Sequence, residues 1–236
     1  MGNAPTLPPP ATRSRILVCG KTGYGKTFWL RAHLKAWQQM GVRIVAIDPK
    51  DELSRCGAVK GGPLRQRCTL RELGANPGLL QAPRLSLAIA VGRTSAIEGA
   101  RAFELLMILA LRSAPLCVVL SEVGFWADPS PGGDEGKAAA RARAQIGTMA
   151  ALYRGDGVSM VFDTQRAVDV PPKARAQLSD VIAFRQDLPA DRAAILEATQ
   201  DERFSRVSDL PEFHALHWSD SHSRTRAQDT AQDATH

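Results

Sequence analysis

Residues 16–19 form an apolar run, residues 20–27 read Gly20-Lys21-Thr22-Gly23-Tyr24-Gly25-Lys26-Thr27, and residues 28–40 follow with a helical pattern. The octet fits the spacing G-x-x-x-x-G-K-[ST], and its flanks are a strand before and a helix after. Glycines let the backbone curl so that several N–H groups point at one phosphate group, and the helix N-terminus adds partial positive charge. Lys26 then reaches the outer phosphates, and the Thr27 hydroxyl ligates Mg²⁺. Thr22, Gly23, Tyr24, Gly25, Lys26, Thr27 and Phe28 are therefore the candidate positions for holding ATP. Such a loop needs a buried strand beneath it and a helix behind it, so it commits the chain to an α/β sheet.

At 236 residues the chain is long enough for one substantial α/β domain with tails. A formal net charge of +6 and a pI near 9.5 suit an acidic partner such as nucleic acid without requiring one. Cys19, Cys56, Cys68 and Cys117 form no C-x-x-C pair, and Cys19 and Cys117 sit in apolar runs, which favours a reducing, cytoplasmic setting. No apolar stretch approaches the roughly 20 residues of a membrane span, and the N-terminus lacks a signal-peptide core.

Residues 1–13 are rich in proline and small residues and read as a flexible leader; residues 219–236 hold nothing apolar larger than alanine and read as a disordered tail. Between them, over residues 14–218, strands and helices alternate. The expected strands are 16–19, 42–47, 85–91, 116–120, 159–162, 181–184 and an edge strand at 213–218. The expected helices are 26–40, a short one at 69–73 within a loop excursion over 57–83, one opened by a Ser95-x-x-Glu98 capping box and running to about residue 112, then 138–154, 171–177 and 190–199. This alternation implies a three-layer sandwich with a mostly parallel central sheet, whose ligands bind at the carboxyl ends of the strands.

A phosphate loop needs a partner strand that supplies an acid. Residues 116–120 form an apolar strand ending in Ser121-Glu122. Most phosphate-loop sites of this form carry Asp-Glu there, the Asp orienting Mg²⁺ through water and the Glu polarising the attacking water. Ser121, in the Asp position, can still hydrogen-bond a metal-bound water but brings no charge, so Asp48 or Asp163 is available to assist. Glu122 is the candidate general base. The strand after it ends in Thr164-Gln165, and Gln165 is placed to contact the γ-phosphate or the lytic water.

In the same order as these motifs, the chain resembles the FtsK–HerA superfamily of DNA-pumping ATPases. The carrying segments are the loop at 20–27; Asp48-Pro49-Lys50-Asp51-Glu52 at the end of an apolar strand; the strand at 118–122, except at Ser121; Arg154-Gly155-Asp156-Gly157-Val158 leading to Thr164-Gln165-Arg166; and Ala183-Phe184-Arg185. The resemblance implies a P-loop NTPase fold of the RecA/ASCE-like kind, ATP hydrolysis with Mg²⁺, and a hexameric homo-oligomeric ring with sites between subunits that moves duplex DNA without reading its sequence. A bare motor domain of this size looks most like the genome-packaging ATPases of internal-membrane icosahedral phages and viruses. That implies host cytoplasm or the virion as its setting and capsid or membrane-vertex proteins as candidate partners.

Arg154 matches the family's arginine before the Gly-Val strand and is the first choice for a residue acting across subunits; Arg13, Arg15, Arg166 and Arg185 are alternatives. For DNA, the candidates are a loop over 127–137 leading to Lys137, Arg141 and Arg143, and a basic loop over 60–67. Trp126 is either a base-stacking or a packing residue. The competing readings are a nucleotide-dependent switch or assembly ATPase that moves no DNA, and a scaffold with a degenerate site. A kinase lacks a recognisable acceptor pocket here, and no Asn-Lys-x-Asp base-reading motif of a GTPase is present.

Overall fold

The computed structural model describes residues 5–10, 13–57, 61–91, 96–128, 132–153 and 155–220. Eight strands form one sheet: β1 (Arg15–Cys19), β2 (Ile44–Asp48), β3 (Gln66–Thr69), β4 (Ser86–Ala90), β5 (Leu116–Ser121), β6 (Val158–Thr164), β7 (Asp180–Ala183) and β8 (Leu216–Ser219). Their order is β3-β4-β2-β5-β6-β1-β7-β8. Every pairing is parallel except β7 with β8, which is antiparallel and closes one edge. The intervening helices are α1 (Lys26–Gln39), α2 (Leu70–Ala75), α3 (Ala96–Ser113), α4 (Val123–Trp126), α5 (Gly133–Leu152), α6 (Pro172–Arg175) and α7 (Pro189–Thr199).

The central strands are buried along their whole length, as a parallel sheet covered on both faces requires. Side chains alternate between the faces. Leu17, Val45, Val118, Leu120 and Phe162 join a core built with α3, α5 and α7, which includes Phe103, Ile146 and Ile195. Ile16, Val18, Ile44, Val119 and Val161 face the other way, onto Trp29, Leu30, Leu34 and Trp37 of α1. Residues 5–10, part of the expected flexible leader, lie against this helix: Leu7 is buried, its N–H meets His33 Nε2 at 3.1 Å, and Trp29 Nε1 donates to the Pro5 carbonyl at 2.6 Å.

Two further expectations change. Residues 66–69, read as loop, form β3 at the sheet edge, its residues exposed except Cys68 and Thr69. α5 starts at Gly133, five residues before the expected 138, with Asp134 and Glu135 in its first turn where the helix dipole favours acids. The short helix near 70 is real, and Thr69 with Glu72 forms a reciprocal capping box. The box expected at Ser95 and the tail beyond residue 220 lie outside the described residues.

Candidate nucleotide site

The phosphate loop joins β1 to α1 at the carboxyl edge of the sheet. Gly25 is the N-cap of α1 with φ near 100°, a left-handed conformation that glycine adopts without strain. A Cβ there would also meet the Phe213 ring at 2.7 Å, so the position demands glycine twice. No side chain caps α1 and no acid sits in its first turn. Its leading N–H groups are thus left for an anion, which is what the octet requires. Phe213 has φ of 59°, donates its N–H to the Tyr24 carbonyl at 3.1 Å and roofs the loop. The Tyr24 ring does not line the cleft; Arg185 and Lys21 stand over it at 5.5 and 5.9 Å.

A cleft of about 190 Å³ opens over the loop, lined among others by Thr22, Gly23, Gly25, Lys26, Thr27, Phe28, Lys50, Glu122 and Gln165. A second hollow of about 480 Å³ shares Lys50, Glu122 and Gln165 with it and continues to Phe125, Arg166 and Asp169. The candidate residues from four separate segments therefore meet at one place.

Glu122 follows β5 with φ of 48°, in the left-handed region that costs a non-glycine residue on the order of 1–3 kcal/mol. The turn brings its carboxylate inward, so it is 7% exposed rather than a surface acid. Lys50 forms an ion pair with Glu122 Oε1, Lys26 Nζ lies 3.6 Å from the same oxygen, and Gln165 Nε2 is 3.4 Å from Oε2. Gln165 reaches the other way as well, accepting from Thr22 Oγ1 at 3.0 Å. It bridges the phosphate loop to the candidate base, and its backbone carbonyl is held by Gln186 Nε2 at 3.1 Å.

Lys26 is 5% exposed. Its Nζ is 2.5 Å from Asp163 Oδ1. Ser121 Oγ donates to the other carboxylate oxygen, Oδ2, at 2.7 Å. Burial alone would favour neutral Lys26, but the Asp163 and Glu122 carboxylates outweigh it and hold the ammonium's pKa above its usual value. Asp163 was noted in the sequence only as an assistant. Lys50 appeared only within a strand-end signature. The structure puts both in direct contact with the motif residues. Asp48 is not among them: its Oδ2 accepts the Leu53 N–H at 2.7 Å and pins the loop after β2, while burial pushes its carboxyl up to about 6.

Among the described residues, no group of three or more His, Cys, Asp or Glu forms a metal cage. A magnesium–nucleotide site needs none, because the ion keeps waters and is held by one or two protein oxygens plus phosphates. The Thr27 hydroxyl beside uncapped helix N–H groups, with a buried carboxylate next to Lys26, fits that requirement.

The arginine candidates separate. Arg15 is fully buried and donates to the carbonyls of Ala150, Val158 and Ser14 at 2.9, 2.7 and 3.0 Å, so it cannot reach a neighbouring subunit. Arg166 is half-exposed and sits 3.3 Å from buried Asp191; Arg185 pairs with Asp187 at 2.7 Å. Arg154 lies outside the described residues. Of the DNA candidates, Arg143 is spoken for by the carbonyls of Val168 and Asp169, whereas Lys137 and Arg141 are exposed. Trp126 is fully buried against Phe103 and donates to the Ser121 carbonyl at 3.1 Å, which removes it as a base-stacking residue. Among the described residues, no helix is long and apolar enough to cross a membrane.

No family model and no curated protein matches the sequence. Solved structures do. The genome packaging NTPase B204 of Sulfolobus turreted icosahedral virus 2, in complex with AMPPCP, superposes with a TM-score of 0.62 at 14% identity, covering 90% of this chain and 93% of that one. B204 of Sulfolobus turreted icosahedral virus, a DNA-packaging ATPase, gives 0.58 at 13% identity over 90% and 94%. The pCW3 conjugation coupling protein TcpA with ATPγS gives 0.56 at 18% identity, over 88% of this chain and 60% of that one. With its phosphate loop, strand order and buried strand-end carboxylates, this chain has the fold of the FtsK–HerA-type ATPases.

Proposed function

We propose that the chain is an ATPase that couples hydrolysis to the translocation of double-stranded DNA, working as a hexameric ring in the packaging of a viral genome. The observation that carries the ATPase part is the convergence of Lys26, Glu122 and Gln165 on one cleft over the phosphate loop. The translocation part rests on the kinship of fold with a packaging NTPase and a conjugation coupling protein.

In this reading, the loop N–H groups and Lys26 bind and orient the phosphates, and the Thr27 hydroxyl with a nearby carboxylate would hold Mg²⁺. Bound magnesium would neutralise charge on the phosphates. Glu122 takes the proton of the attacking water, and Gln165, tied to both Thr22 and Glu122, fixes that water's position. Glu122 Oε1 is itself paired with Lys50 and approached by Lys26, so that oxygen is free to meet the attacking water only when a cation moves. A partner that draws Lys50 away, DNA or the next subunit, would raise hydrolysis. Arg154, Arg13, Arg166 or Arg185 supplies the charge from a neighbouring subunit, and capsid or membrane-vertex proteins dock the ring.

The test is steady-state ATP hydrolysis with Mg²⁺, with and without long duplex DNA, beside Lys26→Ala and Glu122→Gln. Hydrolysis that rises with DNA and disappears in both variants is the expected result. Tight ATP binding with no turnover under any condition favours a nucleotide-dependent switch instead.

A further inference from the structure

We propose that Asp163, one strand away from the usual position, is the carboxylate that organises magnesium in this site, with Ser121 as its positioning residue. This rests on the ATPase reading above and deepens it. In the parallel ladder of β5 and β6, Ser121 stands directly opposite Asp163, and Asp163 is also opposite Val18 of β1. The acid that β5 lacks is therefore supplied from the adjacent strand, at the same level of the sheet and one strand nearer the phosphate loop.

Both Asp163 oxygens are held in a site 3% exposed, one by the Ser121 hydroxyl and one by Lys26. A carboxylate this dry needs a cation beside it. Lys26 is that cation here. A triphosphate would draw the Lys26 ammonium toward itself, leaving the Asp163 carboxylate free to hold the hydrated magnesium that accompanies the nucleotide. The exchange keeps the buried charge matched in both states. It also explains the serine. An aspartate at 121 would set two carboxylates at the present contact of 2.7 Å, where like charges destabilise each other, so the pair of positions accommodates one acid. Serine donates its proton to that acid and fixes its orientation, as outer-shell groups do at metal sites.

The test measures the binding of N-methylanthraniloyl-ATP by fluorescence in Mg²⁺ and in EDTA for the wild type, Asp163→Ser, Asp163→Asn, Ser121→Asp and the exchange variant Ser121→Asp with Asp163→Ser. Thermal melting of each establishes folding. In Asp163→Ser and the near-isosteric Asp163→Asn, the tightening produced by Mg²⁺ should fall by about 10- to 100-fold while binding in EDTA persists. Ser121→Asp alone should not improve it, and the exchange variant should restore it, because the acid is back within the same pair of positions. A purely structural Asp163 would not yield to exchange in this way. Full Mg²⁺ tightening in both Asp163 variants, or an exchange variant that folds without recovering it, overturns the proposal and leaves the ATPase reading standing. A wild type that binds no nucleotide in either buffer overturns both.

Discussion

Strand β1 and the helix after it carry two buried cations, Arg15 at the amino edge of the sheet and Lys26 at the carboxyl edge, and they are held in opposite ways. Arg15 is surrounded by backbone carbonyls of α5, β6 and its own neighbour. Carbonyls are fixed by the fold and carry no net charge, so no incoming ligand competes for the guanidinium. Lys26 is held by the side-chain carboxylates of Asp163 and Glu122. Those are anions that a phosphate can replace as partners of the lysine. On the function proposed above, one buried cation is a rivet and the other an exchangeable counter-ion, and the nature of the acceptor decides which.

Breaking the carboxyl edge should damage turnover and spare the fold. Glu122→Gln is expected to lower kcat by about 10²–10⁴-fold with ATP binding retained, measured by hydrolysis and nucleotide titration. Breaking the amino edge should do the reverse. Arg15→Met removes the donor that the Ala150 and Val158 carbonyls share, while the Ser14 carbonyl keeps the Met160 N–H, and should cost about 3 kcal/mol. In a chain of this size that lowers the melting temperature by roughly 10 °C, while the affinity for ATP of the folded fraction stays unchanged.

Asp48 sharpens the comparison, because it lies at the carboxyl edge yet is bound to backbone like Arg15. Its folded pKa of about 6 stands above the ordinary 3.8, so its contribution favours the native state below about pH 4 and is lost as pH rises through 6. Asp48→Asn should therefore stabilise the protein at pH 8, by about 3 kcal/mol, and leave it unchanged near pH 4; denaturant melts at the two pH values read this. The smallest effect belongs to Arg185, whose pairing with Asp187 is open to solvent. Arg185→Ala should change stability by less than about 1 kcal/mol. A larger loss would mean that its place over the Tyr24 ring braces the phosphate loop.

The rivet was hard to see in the sequence, and the counter-ion easy. Lys26, Glu122 and Gln165 announce themselves because each belongs to a local pattern, a glycine spacing or a polar residue ending an apolar strand. Arg15 reads as one more surface arginine beside a strand, and its carbonyl partners lie as far as 143 residues away. Asp163 is separated from Ser121 by 42 residues, and nothing along the chain says that β5 and β6 are neighbours in that register. The same limit explains β3. Gln66 and Arg67 have no apolar periodicity, and the strand exists because β4 offers it a free edge. Most buried strands and helices were legible because full burial writes itself as continuous apolar runs or helical spacing.

The Phe213 roof has a consequence for how this chain tolerates damage at its end. A premature stop just before residue 213 would leave seven strands paired in their present order, and most of the core untouched. By the usual measures of folding such a product would pass as nearly whole. It would lack the ring that closes over Gly25, the N–H that meets the Tyr24 carbonyl, and the His217 imidazole that meets Asp180 of β7. Late truncations should therefore register as functional lesions before they register as folding ones, and a genetic screen for lost activity would find its nonsense alleles further along the chain than the sheet alone would suggest.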